Sequence, residues 1–185
     1  HEIWHFIAGG RVDSSPTIYK GLAIFGCADG CVYALTAADG QLAWKFQAAP
    51  STRRLMSYCQ PESVWPLSGS TLIQDGKLYC VAGRSMFVDG GIRMLILKPE
   101  TGKLLSENVM DDRIPGTDKN LQDVLMGKHM PVAVPDILSS DGRHVYMRSQ
   151  PFDMNGKRTR VDRLDVKDQR GDDVQVEPVR EVAEA

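Results

Sequence analysis

The chain has 185 residues, of which 42% are hydrophobic, and its formal net charge is -2. This composition supports a globular core, and no apolar run approaches the roughly 20 residues that a membrane-spanning helix needs. Positive and negative side chains are interleaved without a basic patch, so neither nucleic acid nor an anionic membrane is an expected partner.

The first five residues, His-Glu-Ile-Trp-His, match the H-E-x-x-H pattern of zinc metalloproteases. A zinc site would need His1 and His5 one turn apart on a helix. However, Trp4-His5-Phe6 recurs as Trp44-Lys45-Phe46 forty residues later, and that period is typical of a four-stranded propeller blade. We therefore predict that residues 1–11 form the last strand of a preceding blade. On a strand the two imidazoles lie about 13 Å apart and cannot share one ion.

Residues 12–49 are predicted to form one blade of four short antiparallel strands. The strands are expected at 15–19, 22–27, 31–35 and 42–46. The turns between them contain glycine, which accepts a positive φ, and the connections are too short for parallel pairing. Cys27 and Cys31 flank the second turn. A cross-strand disulfide and a pair of buried free thiols are both compatible with that spacing.

The remaining residues predict two further blades separated by linkers. A linker at 50–67 precedes a second blade at 68–110, and a linker at 111–130 precedes a degenerate third blade at 131–168. Residues 169–185 are rich in charge and are predicted to form a disordered polar tail. The predicted fold is thus an all-β partial propeller of about three four-stranded antiparallel blades.

The stretch at 34–44 resembles the repeat of the pyrroloquinoline-quinone (PQQ) type β-propellers, in which A-x-D-x-x-T-G-x-x-x-W covers the third and fourth strands. Ala34, Gly40 and Trp44 match this pattern, whereas Thr36 stands where Asp is usual. The chain is identified as a member of this family, with BamB-like propellers among its relatives. The resemblance implies that the tryptophan docks between adjacent blades.

The same resemblance extends over residues 2–150 and weakens along the chain. Trp4 and Trp44 are the two positions at which it implies structural docking. In the second copy Thr101-Gly102 match, but Ser106 replaces the tryptophan, which predicts a poorer seam there. At about 40 residues per blade the chain is too short to close a ring of up to eight blades, so a fragment of a longer propeller is expected.

Family membership leaves two functions open, because fold alone does not choose between them. The family includes non-catalytic assembly propellers of the BamB type, and we predict a non-catalytic scaffold that binds a protein, a ligand or neighbouring blades. The alternative is a fragment of a PQQ-dependent quinoprotein oxidoreductase whose catalytic residues lie outside this chain. A periplasmic or other extracytoplasmic location is implied by the resemblance alone.

The resemblance also implies which groups a PQQ enzyme would need. These are a catalytic Asp, a calcium ion held by acidic and amide groups, and often two adjacent cysteines. The chain has no Cys-Cys pair. Its paired acids, Asp111-Asp112 and Asp172-Asp173, fall in a linker and in the tail without clustered Asn or Glu. No cofactor or metal is therefore expected, with PQQ and calcium as the alternative.

Candidate binding residues cluster in the first linker and around the long second hairpin. They are Arg53, Arg54, Tyr58, Trp65, Arg84 and Arg93. Arginine and aromatic side chains together are typical of recognition surfaces. The competing interpretations are that Trp65 packs under its own loop and that Arg84 and Arg93 form salt bridges within a blade. His129 and His144 are isolated and are assigned structural roles.

Overall fold

The computed structural model describes residues 2–113, 134–148 and 150–159. Every regular element in these ranges is a β-strand, and every strand pair is antiparallel. The predicted all-β, partial-propeller fold is confirmed. Within the same ranges, no helix is long and apolar enough to cross a membrane.

The first sheet has four strands paired in chain order. They are β1 (Thr17–Tyr19), β2 (Leu22–Gly26), β3 (Cys31–Thr36) and β4 (Leu42–Gln47). Lys20 and Gly21, between β1 and β2, have φ values of 46° and 77°. These are the left-handed values of a type I′ turn, whose twist matches that of the two strands it joins. Cys27 and Cys31 are both buried free thiols.

A two-stranded hairpin follows, made of β5 (Arg54–Ser57) and β6 (Gln60–Ser63). It lies inside the segment 50–67, where the sequence indicated only a linker. The hairpin escaped sequence analysis because its turn contains neither glycine nor asparagine and because Pro61 argues against a strand. The connection between the first and second sheets is therefore an ordered element.

The second sheet is formed by β7 (Leu72–Gln74), β8 (Lys77–Ala82), β9 (Ile92–Leu97) and β10 (Leu104–Met110). The third contains β11 (Leu138–Ser140), β12 (Val145–Met147) and β13 (Gln150–Phe152). A four-stranded third blade was predicted, but in the described part its fourth strand is only an isolated bridge between Phe152 and Arg158. The predicted tail at 169–185 lies outside the described residues, as does His129.

The first strand of each sheet lies on the inner side of the array, since β1 contacts β7 and β7 contacts β11. Thr17 Oγ1 donates to the Thr71 carbonyl at 2.8 Å, and the Leu138 N–H donates to Ser70 Oγ at 2.9 Å. Hydrophobic cores fill both seams, one between the first and second sheets and the other between the second and third. This is the radial arrangement of propeller blades.

The first seam contains a docked tryptophan at its outer side. Trp44, on β4, donates its indole N–H to the Pro99 carbonyl at 2.9 Å, in the turn that joins β9 to β10. Its ring covers Gly102 so closely that a Cβ on that glycine would lie 2.6 Å from a ring carbon. Trp4 repeats this geometry on the first sheet, with the indole 3.1 Å from the Ala37 carbonyl and the ring over Gly40.

The second seam has hydrogen bonds where the first has a tryptophan. Ser106, at the position equivalent to Trp44, and Asn108 both donate to the Asn155 carbonyl, at 3.2 and 2.8 Å. The turn carrying Asn155 is one residue shorter than its counterparts, because the Asp153 N–H bonds to the Lys157 carbonyl four positions on. In the first sheet the equivalent bond spans five positions. The shorter turn displaced the repeat pattern and hid it from sequence comparison.

The N-terminal segment differs from its prediction. Residues 2–8 contain no strand, although a final strand of a preceding blade was predicted at 1–11. Trp4, Phe6 and Ala8 nevertheless pack on the outer face of the first sheet. Their spacing repeats that of Trp44, Phe46 and Ala48, which pack in the next seam. The segment is extended without a hydrogen-bonded ladder, because the described chain supplies no neighbouring strand.

Candidate binding hairpin

The hairpin β5–β6 ends in a turn of unusual composition. Tyr58 and Cys59 have φ values of 48° and 60°, which a type I′ turn requires and which Asn-Gly adopts most easily. Placing a side chain other than glycine in this region costs about 1 to 2 kcal/mol per residue. The Tyr58 side chain is 89% exposed and Met56, on β5, is 69% exposed. The hairpin therefore presents large apolar groups to solvent.

The base of the hairpin contains a buried carboxylate that joins three parts of the chain. Glu62 on β6 is 2% exposed. Its Oε1 accepts from Arg11 at 2.6 Å and its Oε2 accepts from Arg84 at 2.8 Å. Arg84 also donates to the Ser63 carbonyl at 3.2 Å. Two charge-assisted bonds to a desolvated carboxylate hold the hairpin to the N-terminal segment and to the second sheet.

Arg11 is further constrained by Asp13, whose carboxylate accepts from its Nε at 2.5 Å. That hydrogen bond and the contact with Glu62 raise the pKa of Arg11 above its ordinary value, against the opposing effect of burial. The guanidinium also lies 5.8 Å from the centre of the Tyr58 ring, within cation–π range. Arg11 thus links the buried base of the hairpin to its exposed tip.

Backbone and indole hydrogen bonds complete the anchoring. The Ser63 N–H donates to the Ala28 carbonyl at 2.8 Å in the turn between β2 and β3. Trp65 is 7% exposed and donates its indole N–H to the Asp89 carbonyl at 2.9 Å. Arg53 covers the Trp65 ring at 5.9 Å. The hairpin is consequently tied to both sheets while its tip remains exposed.

Beside the hairpin, the turn between β2 and β3 carries a second buried carboxylate, Asp29. It accepts from the Tyr33 hydroxyl at 2.5 Å, from the Cys31 N–H at 3.0 Å and from Lys45 Nζ at 3.4 Å. Lys45 also lies 4.7 Å from the Tyr33 ring centre, and its hydrogen bond to that hydroxyl raises the pKa of Lys45 above its ordinary value. Asp29 had no sequence signal beyond its place in a turn.

An open pocket of about 360 Å³ separates this cluster from β5. The residues that line it are Asp29, Cys31, Lys45, Gln47, Ser51, Thr52 and Arg54. In the described chain the Arg54 guanidinium has no hydrogen bond or ion pair, whereas Asp29 is already bonded to its neighbours. The pocket wall therefore carries more available positive than negative charge.

The family model described as outer membrane protein assembly factor BamB matches residues 1–127 of the chain. The chain belongs to the BamB family of PQQ-like repeat propellers. No curated protein sequence matches this BamB-family chain.

Two solved structures are similar to the BamB-family chain. BamB from Moraxella catarrhalis shares 14% identity with a TM-score of 0.48, and the alignment covers 83% of this chain and 37% of that one. The quinohemoprotein alcohol dehydrogenase ADHIIG from Pseudomonas putida HK5 shares 19% identity with a TM-score of 0.50, over 74% of this chain and 20% of that one. The second likeness supports the propeller fold. The chain thus spans well under half the length of either structure.

Five of the six predicted binding residues of this BamB-family chain lie in or beside the hairpin. These are Arg53, Arg54, Tyr58, Trp65 and Arg84. Arg84 pairs with Glu62 of the hairpin, so its salt bridge is not within a blade, contrary to the simpler interpretation. Arg93 is separate, because it pairs with Glu107 across β9 and β10 of one sheet. The sequence missed Arg11, Glu62, Asp29 and Lys45.

Within the described residues, no three His, Cys, Asp or Glu side chains converge as metal ligands. Asp111 is bonded to Arg113 at 3.2 Å, while Asp172-Asp173 lie outside the described residues. His144 lies 3.6 Å from Asp141 and packs edge-on against Tyr146. His1, needed for the zinc pattern, is also outside the described ranges.

The Asp29 cluster predicts a pH dependence of stability. Burial raises the pKa of Asp29, but the hydrogen bonds it accepts and the charge of Lys45 lower it by more, leaving a net decrease. Its stabilising contribution is therefore complete above the unfolded pKa of about 4 and is lost as the pH falls through the folded value. In urea denaturation between about pH 6 and 2, Asp29→Asn is expected to flatten the pH dependence of the unfolding free energy.

Asp39→Asn is the matched control, because Asp39 also lies in a hairpin turn and accepts a backbone N–H, from Gln41, but is exposed. This variant is expected to change the unfolding free energy little, because the Asp39 side chain is exposed. Equal flattening by the two substitutions would contradict the assignment to Asp29.

Proposed function

We propose that this chain is a non-catalytic, protein-binding module of a PQQ-like propeller and that the hairpin β5–β6 is its recognition element. The observation that carries this proposal is the exposed tip on a fixed base. Tyr58 and Met56 are 89% and 69% exposed, whereas Glu62 below them is buried between two arginines. A rigid aromatic anchor loses little conformational entropy on binding.

The composition of the hairpin supports protein recognition. Tyrosine, methionine and arginine are enriched in the cores of protein interfaces. Here Tyr58 and Met56 occur beside Arg54, and Arg11 stacks near the tyrosine ring. A tyrosine held in a left-handed turn is also costly for folding alone. A binding role gives a reason for keeping it.

The charged groups near the hairpin support a structural rather than a catalytic assignment. Glu62 and Asp29 are each held in place by cations or hydrogen-bond donors of this chain. A catalytic carboxylate would need access to a substrate atom within hydrogen-bond reach. In this chain both carboxylates are already engaged by donors of the protein itself.

The matching family model bears the description of an outer membrane protein assembly factor. We extend the role in that description to this chain as a proposal. Its partner would be a protein, and binding would take place in an extracytoplasmic compartment. The hairpin, which lies between the first two sheets, would be the contact element. The competing proposal of a quinoprotein oxidoreductase fragment predicts dye-linked alcohol or sugar oxidation after reconstitution with PQQ and calcium. Activity above that of an unrelated propeller would overturn our proposal.

A photo-crosslinking amino acid placed at Tyr58 is expected to capture a discrete protein partner in cells, because this side chain lies at the centre of the proposed surface. Leu105 on β10 is 50% exposed and provides the control position, where no discrete product is expected. With the captured partner purified, Tyr58→Ala should weaken binding by about 30-fold, as for an interface hot spot of about 2 kcal/mol. Equal crosslinking at both positions would count against the hairpin.

A further inference from the structure

We propose that the free edge of β5, together with the pocket between Lys45 and Arg54, binds an extended acidic peptide segment of a partner protein by strand addition. This inference rests on the proposed function, because it specifies how the hairpin engages its partner. It requires three things from the structure: an open strand edge, a closed opposite edge, and a cationic site at the end of the open edge.

The register of the hairpin shows which backbone groups are open. The Val64 N–H donates to the Arg53 carbonyl at 3.1 Å, so these two residues form a hydrogen-bonded pair. Pairs alternate along an antiparallel ladder, and the pairs of Leu55 with Glu62 and Ser57 with Gln60 therefore also face inward. The N–H and C=O groups of Arg54 and Met56 then point away from β6. In the described part of the chain, these groups have no partner.

The edge of β6 is closed. Its two outward positions are Pro61 and Ser63, opposite Met56 and Arg54. Pro61 has no N–H to offer, and the Ser63 N–H is bonded to the Ala28 carbonyl at 2.8 Å. Proline on an outward position is a common way to prevent edge pairing. A strand can therefore add to β5 but not to β6.

The pocket at the start of β5 selects the charge of the added strand. Arg54, Lys45 and Thr52 all line it. The Asp29 carboxylate accepts from Tyr33, from the Cys31 N–H and from Lys45 Nζ. An incoming carboxylate would therefore meet the unpaired guanidinium of Arg54, beside the ammonium of Lys45 that Asp29 already neutralises in part. That balance favours an acidic side chain over a neutral or basic one.

The occupant is thus an extended segment whose acidic residue reaches the pocket. In antiparallel addition the C-terminal end of that segment lies near Arg54, at the start of β5. Main-chain hydrogen bonds to Arg54 and Met56 supply the pairing, and the pocket supplies specificity, as in other cases of β-augmentation. Tyr58 and Met56 flank the added strand as apolar contacts.

The test uses the full chain and a short peptide of alternating threonine and valine ending in glutamate, acetylated and amidated so that the side chain carries the only charge. Titration followed by amide NMR should shift the Arg54 and Met56 signals. The counterpart ending in glutamine should bind about fivefold more weakly, the effect of one exposed ion pair. Arg54→Glu should weaken the glutamate peptide at least as much, whereas Lys103→Glu, an exposed change on another turn, should not.

Strand addition itself is tested at Met56. Met56→Pro removes the outward N–H without removing a ladder bond of the hairpin and should abolish peptide binding, while Met56→Val keeps that N–H and should retain it. A peptide methylated on alternate backbone nitrogens, added to the wild-type chain, should also fail to bind. Equal binding by the glutamate and glutamine peptides, or by the methylated and unmethylated ones, would overturn the inference. If strand addition fails this test but the photo-crosslink at Tyr58 still captures a partner, the proposed protein-binding function is retained and only the strand-addition mode is wrong.

Discussion

Replacing Trp44 by alanine is expected to destabilise the chain by about 3 kcal/mol, the lower end of the range for large aromatic residues in a core, because its ring is half-buried. The indole fills the outer end of the first seam, donates to the Pro99 carbonyl and covers Gly102. Alanine would leave a cavity there and an unsatisfied carbonyl. The test compares the free energies of unfolding of the wild-type chain and of Trp44→Ala, both measured by urea denaturation.

A second pair of variants tests the same seam from the opposite side. Gly102 and Gly90 have similar positive φ values, 68° and 76°, so alanine introduces similar backbone strain at both. A Cβ at Gly102 would lie 2.6 Å from the Trp44 ring, whereas a Cβ at Gly90 meets nothing within 4 Å. Gly102→Ala should therefore cost clearly more than Gly90→Ala. If Gly102→Ala and Gly90→Ala lower the free energy of unfolding equally, or if Trp44→Ala lowers it by only about 1 kcal/mol, docking of the tryptophan contributes little to stability.

Removing the carboxylate of Glu62 is expected to cost about 3 kcal/mol, at the lower end of the range for breaking a buried ion pair. Glu62→Ala leaves Arg11 and Arg84 without their shared partner. Their side chains are 34% and 29% exposed, so water can solvate both in part, which limits the cost. The hairpin should also lose its fixed position, and amide exchange of β5 and β6 should accelerate.

Glu107→Ala is the matched control for this effect. Glu107 pairs with a single arginine, Arg93, and its side chain is 32% exposed, so its loss should cost no more than about 1 kcal/mol. Equal destabilisation by the two substitutions would mean that Glu62 contributes no more than an ordinary surface pair. The proposed rigid base of the hairpin would then be untenable.

The propeller fold was accessible from the sequence because its signals are local and repeated. The recurrence of Trp-x-Phe after forty residues indicates the length of a blade, and turn glycines mark the ends of the strands. The family resemblance implied that Trp4 docks, and it packs against the first sheet although no strand forms there. A ladder needs a neighbouring strand as well as an alternating pattern.

The candidate site was less accessible because its contacts are distant in sequence. Arg11 and Glu62 are 51 positions apart, and nothing near either residue indicates the pairing. The hairpin was hidden for a different reason. Tyr58 and Cys59 adopt left-handed conformations that sequence rules reserve for glycine and asparagine. Tertiary anchoring by Glu62 and Trp65 overrides that local preference.

The two seams also differ in how they can respond to stress. The first is closed along its whole radius, from the inner strands to the Trp44 ring. The second is apolar near its inner strands, but its outer rim is joined through Ser106 and Asn108 to the Asn155 carbonyl. Water can replace those hydrogen bonds at small net cost, whereas it cannot replace the apolar contacts of the half-buried Trp44 ring. We therefore expect the second seam to open more readily at its outer rim than the first, with the contact between the inner strands β7 and β11 as the hinge.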